Sequence, residues 1–147
     1  MTSKTPTKQM AKSIYSMLLW EEKSKDGKGW QDVINTRAFT HADVKRKYEG
    51  DMEGEGTVEF LMFYNTDGSS QYIGMEDFVG SIGGKKGRFA LRIEGNYKDK
   101  TASASSFIIP NSGTDELVGI RGEAKSVASG DQPNYAFDIE YWFENAE

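Results

Sequence analysis

Two glutamates carry the most chemical promise in this sequence. Glu59 and Glu76 each stand within strand-like segments among large apolar residues, with Val58, Phe60 and Leu61 around the first and Met75 and Phe78 near the second. A carboxylate in an apolar cavity has its pKa raised by desolvation and then serves as a general acid or base near neutral pH. The plain alternative is that both face solvent from strands whose other face is buried. Parity leaves both readings open, because the sets Thr57, Glu59, Leu61, Phe63 and Val58, Phe60, Met62, Tyr64 are each partly apolar.

Other reactive constellations are weak. His41 is the only histidine and sits in the polar stretch Thr40-His41-Ala42-Asp43, where a solvated side chain is the simplest reading. A Ser-His-Asp triad would have to use it, and no Gly-x-Ser-x-Gly elbow exists. With one His and no Cys, a zinc site would be left with carboxylates, so no metal is expected. Asp51-Met52-Glu53-Gly54-Glu55 superficially resembles a calcium loop, but Gly54 comes too early for that register. Gly83-Gly84-Lys85-Lys86-Gly87 is followed by a strand rather than a helix, so it lacks the helix N-terminus of a phosphate cradle. No cofactor motif is found, and no cofactor is expected.

These side chains must be positioned by a fold, and composition bounds it. The chain has 147 residues, enough for one domain with a real core, and no Cys for a disulfide scaffold. Net charge is -5, with both signs interleaved, which argues against nucleic acid as a partner. Apolar runs such as Met17-Leu18-Leu19-Trp20 are far short of the ~20 residues that a membrane-spanning helix needs. Residues 1–12 are rich in Thr, Lys and Ser and lack a signal-peptide core, so we expect a flexible tail, a barrel domain over 13–147 and a cytoplasmic location.

Periodicity favours strands almost throughout. Phe89, Leu91 and Ile93 alternate with Arg88, Arg92 and Glu94, while Tyr135, Phe137, Ile139, Tyr141 and Phe143 alternate with Ala136, Asp138, Glu140 and Trp142. Further strands are expected at Ile14–Glu21, Arg37–Tyr48, Thr57–Tyr64, Gln71–Ile82, Ala102–Ile109 and Ile120–Val127, which makes eight. Asn65-Thr66-Asp67-Gly68 and Ile82-Gly83-Gly84-Lys85 read as hairpin loops, and Glu49 to Gly54 as an acidic hairpin tip. Gly74 and Gly80, inside a strand pattern, suggest bulges or bends. The one helical turn expected lies in Pro110–Leu117, with Ser112 or Thr114 as its N-cap. Eight antiparallel strands with short regular connections predict an all-β, up-and-down barrel.

Several runs resemble a known family. They are Glu59-Phe60-Leu61-Met62-Phe63-Tyr64-Asn65-Thr66-Asp67-Gly68, then Tyr72-Ile73-Gly74-Met75-Glu76, and Ser112-Gly113-Thr114-Asp115-Glu116-Leu117-Val118-Gly119-Ile120-Arg121-Gly122. Together they are similar to a bacterial family of small proteins of unknown function whose fold is like that of plant allene oxide cyclase. The resemblance implies a single closed eight-stranded antiparallel β-barrel over most of the domain. It also implies that Glu59 and Glu76 match glutamates common in the family and share the lumen with Phe89, Leu91 and Ile93. The resemblance further implies that many relatives carry a His at the position of Ile93, so an acid–base scheme built on that His is closed to this chain.

The expected function is therefore binding of a small hydrophobic or aromatic molecule in the lumen. Glu59, Glu76 and Tyr72 would orient it, Arg121 would offer a charge near the rim, and Phe89, Leu91, Ile93 and Tyr141 would line the wall. Two alternatives stay open: a cofactor-independent cyclase or isomerase using a buried glutamate, and a filled barrel acting only in self-association or protein contact. If Glu59 points inward, Phe60, Met62 and Tyr64 form an outer apolar band, and with Trp20, Trp30 and Trp142 they predict a homo-oligomer, dimer before trimer.

Overall fold

The structure is a computed structural model, and it describes residues 6–129 and 134–144. Eight antiparallel strands follow one another: β1 (Gln9–Ser24), β2 (Ala38–Gly50), β3 (Met52–Tyr64), β4 (Ser70–Ile82), β5 (Lys85–Lys98), β6 (Thr101–Ile108), β7 (Ile120–Ser129) and β8 (Tyr135–Phe143). Each pairs with its sequence neighbour, and β8 pairs with β1, so the sheet closes on itself. The up-and-down barrel expected from the alternating pattern is the observed fold.

Strand β1 begins at Gln9, ahead of the expected boundary at residue 13. Ala11 is buried opposite Ile139, and Ser13 donates its hydroxyl to the Phe137 carbonyl at 2.8 Å, which is why the chain is already tied down there. Residues 1–5 of the expected tail lie outside the described residues. The acidic hairpin tip between β2 and β3 is fastened to this start, since the Asp51 carboxylate accepts the Lys12 backbone N–H at 2.9 Å.

Two expectations about turns need correction. Besides a 3-10 turn at Asp115–Leu117, a short helix α1 (Trp30–Val33) links β1 to β2, and Val33 is buried beneath it. Thr114 is the N-cap residue of the 3-10 turn, one of the two expected candidates, but the Ser112 and Thr114 side chains make no cap bond there. Instead they accept backbone N–H groups of β5, Ser112 from Ala90 at 3.0 Å and Thr114 from Arg88 at 3.1 Å. The paired part of β5 facing β6 begins only at Leu91, so this connection satisfies the strand edge that β6 leaves uncovered.

Gly74 and Gly80 are not bulges either. The β3–β4 register runs through both without a shift. A Cβ at Gly74 would lie 2.4 Å from the Glu59 carbonyl oxygen, and one at Gly80 would lie 2.0 Å from that of Glu53. Glycine here permits close backbone approach in a tightly coiled sheet. The register irregularity falls instead in β1, between Met17 and Leu19.

The barrel is plugged at one end. Tyr48, Met52, Phe78, Ile82, Phe89, Leu91, Ile108, Leu117, Ile120 and Ile139 are all essentially inaccessible. Their rings interlock, with Tyr48 to Phe78 at 5.5 Å and Phe78 to Phe89 at 4.9 Å between centroids. The other half is different, because the inward positions of β6 and β7 carry Ala102, Ala104, Ser106, Ala124, Ser126 and Ala128. Small side chains on two adjacent strands cannot fill a lumen of this width.

Candidate functional site

The space those small residues leave is a cavity of about 480 Å³ at the open end. Aromatic residues from most of the strands converge on it: Tyr15 and Trp20 from β1, Phe60 from β3, Tyr72 from β4, Tyr97 from β5 and Tyr135 from β8. Trp30 of α1 lies across the mouth. A second, smaller chamber of about 40 Å³ lies among Ile93, Ala104, Ser106, Ser126 and Phe137, and Tyr15, Arg46, Tyr72, Ala102 and Ala128 line both spaces.

The β1 irregularity shapes this mouth. Ala11, Ser13, Tyr15 and Met17 point inward at odd positions; after the extra residue, Trp20 and Glu22 take the inward places. One inserted residue reverses the alternation that follows it. Glu22 is buried there, and its carboxylate accepts bonds from Trp20 Nε1 at 3.0 Å, Thr40 Oγ1 at 2.6 Å and the Tyr64 hydroxyl. Burial and the Glu22 carboxylate together hold the Tyr64 hydroxyl well above its ordinary pKa, so it stays a proton donor in that bond.

At the boundary between cavity and plug, Glu76, singled out from sequence, meets Arg46, a partner that sequence reasoning passed over. Arg46 on β2 and Glu76 on β4 are both buried, with Arg46 Nη1 3.4 Å from Glu76 Oε1. The Tyr48 hydroxyl donates to the same carboxylate, 2.8 Å from Oε2 and 3.0 Å from Oε1. The guanidinium is flanked by the Tyr15 ring at 4.4 Å and the Phe60 ring at 5.6 Å, within range of cation–π attraction. Its Nε is buried with no hydrogen-bond partner among the described residues. An orphaned buried donor costs about 1–3 kcal/mol, more when charged.

Room for the Glu76 carboxylate comes from Gly56 across the β3–β4 ladder, where a Cβ would stand 1.9 Å from Glu76 Oε2. Burial pushes the Glu76 pKa up, and the Arg46 charge and the Tyr48 bond recover part of that shift. Burial alone would pull Arg46 down, but the Glu76 charge and the Tyr48 and Tyr15 hydroxyls outweigh it, so the guanidinium keeps its proton. The Tyr15 and Tyr72 hydroxyls are raised chiefly by burial and act as neutral hydrogen-bonding groups.

The residues singled out from sequence divide by position. Tyr72 lines both spaces and Ile93 lines the small chamber. Glu76 is inside the barrel, but it stands behind Arg46 and borders neither space. Phe89 and Leu91 belong to the plug, and Tyr141 is buried at the closed end, its hydroxyl 3.3 Å from Gln9 Oε1. Two expectations are corrected. Glu59 faces outward, because even-numbered residues of β3 point inward, and it lies 3.4 Å from His41 Nε2 on the outer wall. Arg121 also faces outward, 3.5 Å from Glu144, since Ile120, Gly122 and Ala124 hold the inward places of β7.

The parity of β3 likewise reverses the expected outer band. Phe60, Met62 and Tyr64 are buried, and the exposed apolar residues of that wall are Phe39, Leu61, Ile73 and Met75. Between Phe39 and Val127 the outer wall also carries an open groove of about 610 Å³, edged by the polar side chains of Gln71, Glu94, Asn96, Ser103, Ser105 and Lys125. Three exposed side chains, His41, Asp43 and Glu59, bring their ligating atoms within 4.8 Å of one another nearby. No helix among the described residues is long and apolar enough to cross a membrane.

Arg46 was missed because it stands between Lys45 and Lys47 and reads as part of a solvated run. Its parity was the available signal: Thr40, Ala42, Val44 and Tyr48 share its face and are all buried.

Comparison with known proteins places residues 11–141 within a family model described as a protein of unknown function (DUF3224). Among solved structures, the crystal structure of a protein of unknown function from the DUF3224 family of Shewanella oneidensis MR-1 is similar. The TM-score is 0.71 at 21% sequence identity, covering 97% of this chain and 100% of that one. No curated protein matches.

Proposed function

The chain belongs to the DUF3224 family of proteins of unknown function, and on that footing we propose that its barrel holds a small hydrophobic or aromatic molecule in the open half of the lumen. The observation that carries this reading is the 480 Å³ cavity walled by Tyr15, Trp20, Phe60, Tyr72, Tyr97 and Tyr135. Its size falls in the ~300–1,000 Å³ range of small-molecule sites, which are mostly apolar with a few placed polar groups. Here those groups are Arg46, Ser70 and the tyrosine hydroxyls.

The cavity speaks against a barrel filled for self-association alone. The cyclase or isomerase reading has less support, because its buried glutamate has to reach the substrate. Glu76 touches Tyr48 and Arg46 instead, and Glu59 lies outside. Glu22 borders the cavity with its carboxylate already occupied by three donors. This arrangement suits a carrier or sensor.

The test is a neutral aromatic probe, 2-naphthamide, titrated calorimetrically into the native chain and into Ala128→Trp. Ala128 lines both spaces from the inward face of β7, so an indole there takes up part of the lumen. Saturable binding that Ala128→Trp abolishes supports the proposal. Equal binding to the folded variant overturns it, as does failure of the native chain to bind both 2-naphthamide and its acid counterpart, 2-naphthoate.

A further inference from the structure

We propose that the ligand is an anion, an aromatic carboxylate whose acid group pairs with Arg46 while its ring lies among the aromatics of the mouth. This rests on the lumen-binding reading above and names the class of molecule within it.

Arg46 is placed for that task. It lines both the cavity and the small chamber, at the depth where open lumen gives way to plug. A guanidinium carries five N–H donors in a planar fork. Among the described residues, one of them meets an acceptor side chain, Glu76, and that contact is long at 3.4 Å. Charge-assisted N–H···O bonds normally run at about 2.7–2.9 Å. Glu76 takes its shorter bonds from Tyr48, at 2.8 and 3.0 Å, so its carboxylate is committed to the plug side. Nε is buried and has no partner among the described residues. The fork is therefore short of acceptors within the protein.

The surroundings favour a planar acid as the missing acceptor. Tyr15 and Phe60 flank the guanidinium, restricting its plane and excluding water from its faces. A carboxylate matches the fork with two oxygens, whereas an amide or alcohol offers one acceptor and no charge. Ser106 and Ser126 line the adjoining chamber, with hydroxyls suited to an anion's remaining lone pairs. The acidic side chain at the mouth, Glu22, is held by Thr40, Tyr64 and Trp20 and does not compete for Arg46. Aromatic walls then select a ring rather than a small inorganic anion.

The matched probes are 2-naphthoate and 2-naphthamide, which share a ring system and differ in the head group, titrated by calorimetry at about pH 7.5. Native protein is expected to bind naphthoate about tenfold or more tightly than the amide, the worth of one charge-assisted bond. In Arg46→Met/Glu76→Gln, which removes both charges together, that preference is expected to vanish while the amide still binds. Arg46→Lys, which keeps the charge and loses the fork, should retain only part of it. Equal affinity of the native protein for the two probes overturns the anion inference and leaves lumen binding standing, as does a preference that survives in the folded double variant. Binding of neither probe overturns both. The native comparison decides the matter even where a variant fails to fold.

Discussion

Replacing Arg46 by Met should destabilise the protein strongly, and more so at alkaline pH. At 3.4 Å and an effective dielectric of ~20, Coulomb's law gives the Arg46–Glu76 pair about 5 kcal/mol of attraction. Breaking a buried pair from one side typically costs about 3–5 kcal/mol, because the remaining charge stays desolvated. At roughly 3–4 °C per kcal/mol for a chain of this size, the melting temperature should fall by about 10–20 °C near pH 8. The pH dependence follows from the direction of the Glu76 shift. Its folded pKa is raised, so over the window above the ordinary carboxylate value the folded state holds more protons than the unfolded one. Stability therefore falls as pH rises through that window. Arg46 is the largest influence lowering this pKa, so its removal raises the pKa further and widens the penalty. As pH falls and Glu76 takes up a proton, much of the loss is relieved. Adding Glu76→Gln to Arg46→Met should recover most of the stability and flatten the pH profile. Thermal melts followed by circular dichroism at pH 5 and pH 8 read all three proteins. An Arg46→Met protein as stable as the native one at pH 8, or one equally weakened at both pH values, would refute the reasoning.

Three further outcomes are expected. Gly56→Ala puts a methyl 1.9 Å from Glu76 Oε2 and should cost about 1–3 kcal/mol in urea unfolding, whereas Gly29→Ala, with no atom within 4 Å, should be neutral by comparison. Trp30→Ala should speed release of 2-naphthamide in stopped-flow measurements with little change in melting temperature, because the indole is partly exposed across the mouth. We also propose that Phe39, Leu61, Ile73 and Met75 meet a second copy of the chain, since Glu59, Glu94 and Arg92 on that wall give a two-fold contact charges of both signs. Light scattering should then give about twice the 16.4 kDa chain mass, and Leu61→Glu/Ile73→Glu should halve it; a native mass near 16.4 kDa would end that proposal.

The strands were legible wherever one face alone is apolar. Phe89, Leu91 and Ile93 on β5 and Phe137, Ile139 and Tyr141 on β8 alternate with charged residues, and all six are buried. On β3 both faces carry large apolar side chains, so periodicity could not orient Glu59, and only the pairing of Glu59 with Asp43 and Met75 fixes it outside. Trp20 and Glu22 escaped for another reason: the irregularity after Met17 reverses parity, and an apolar run conceals an extra residue. The cavity itself had a faint signature. Ala102, Ala104, Ser106 and Ala124, Ser126, Ala128 alternate as regularly as any core set, but small residues announce space only once the strands are known to lie side by side.

We propose that the open half of the lumen, and not the outer wall, receives the ligand. A crystal structure of the native protein soaked with 2-naphthamide decides between the two. Density for the naphthalene ring is expected beneath Trp30, between Trp20, Phe60 and Tyr72. A lumen left without probe, with the ring lying instead in the outer groove between Phe39 and Val127, would contradict it.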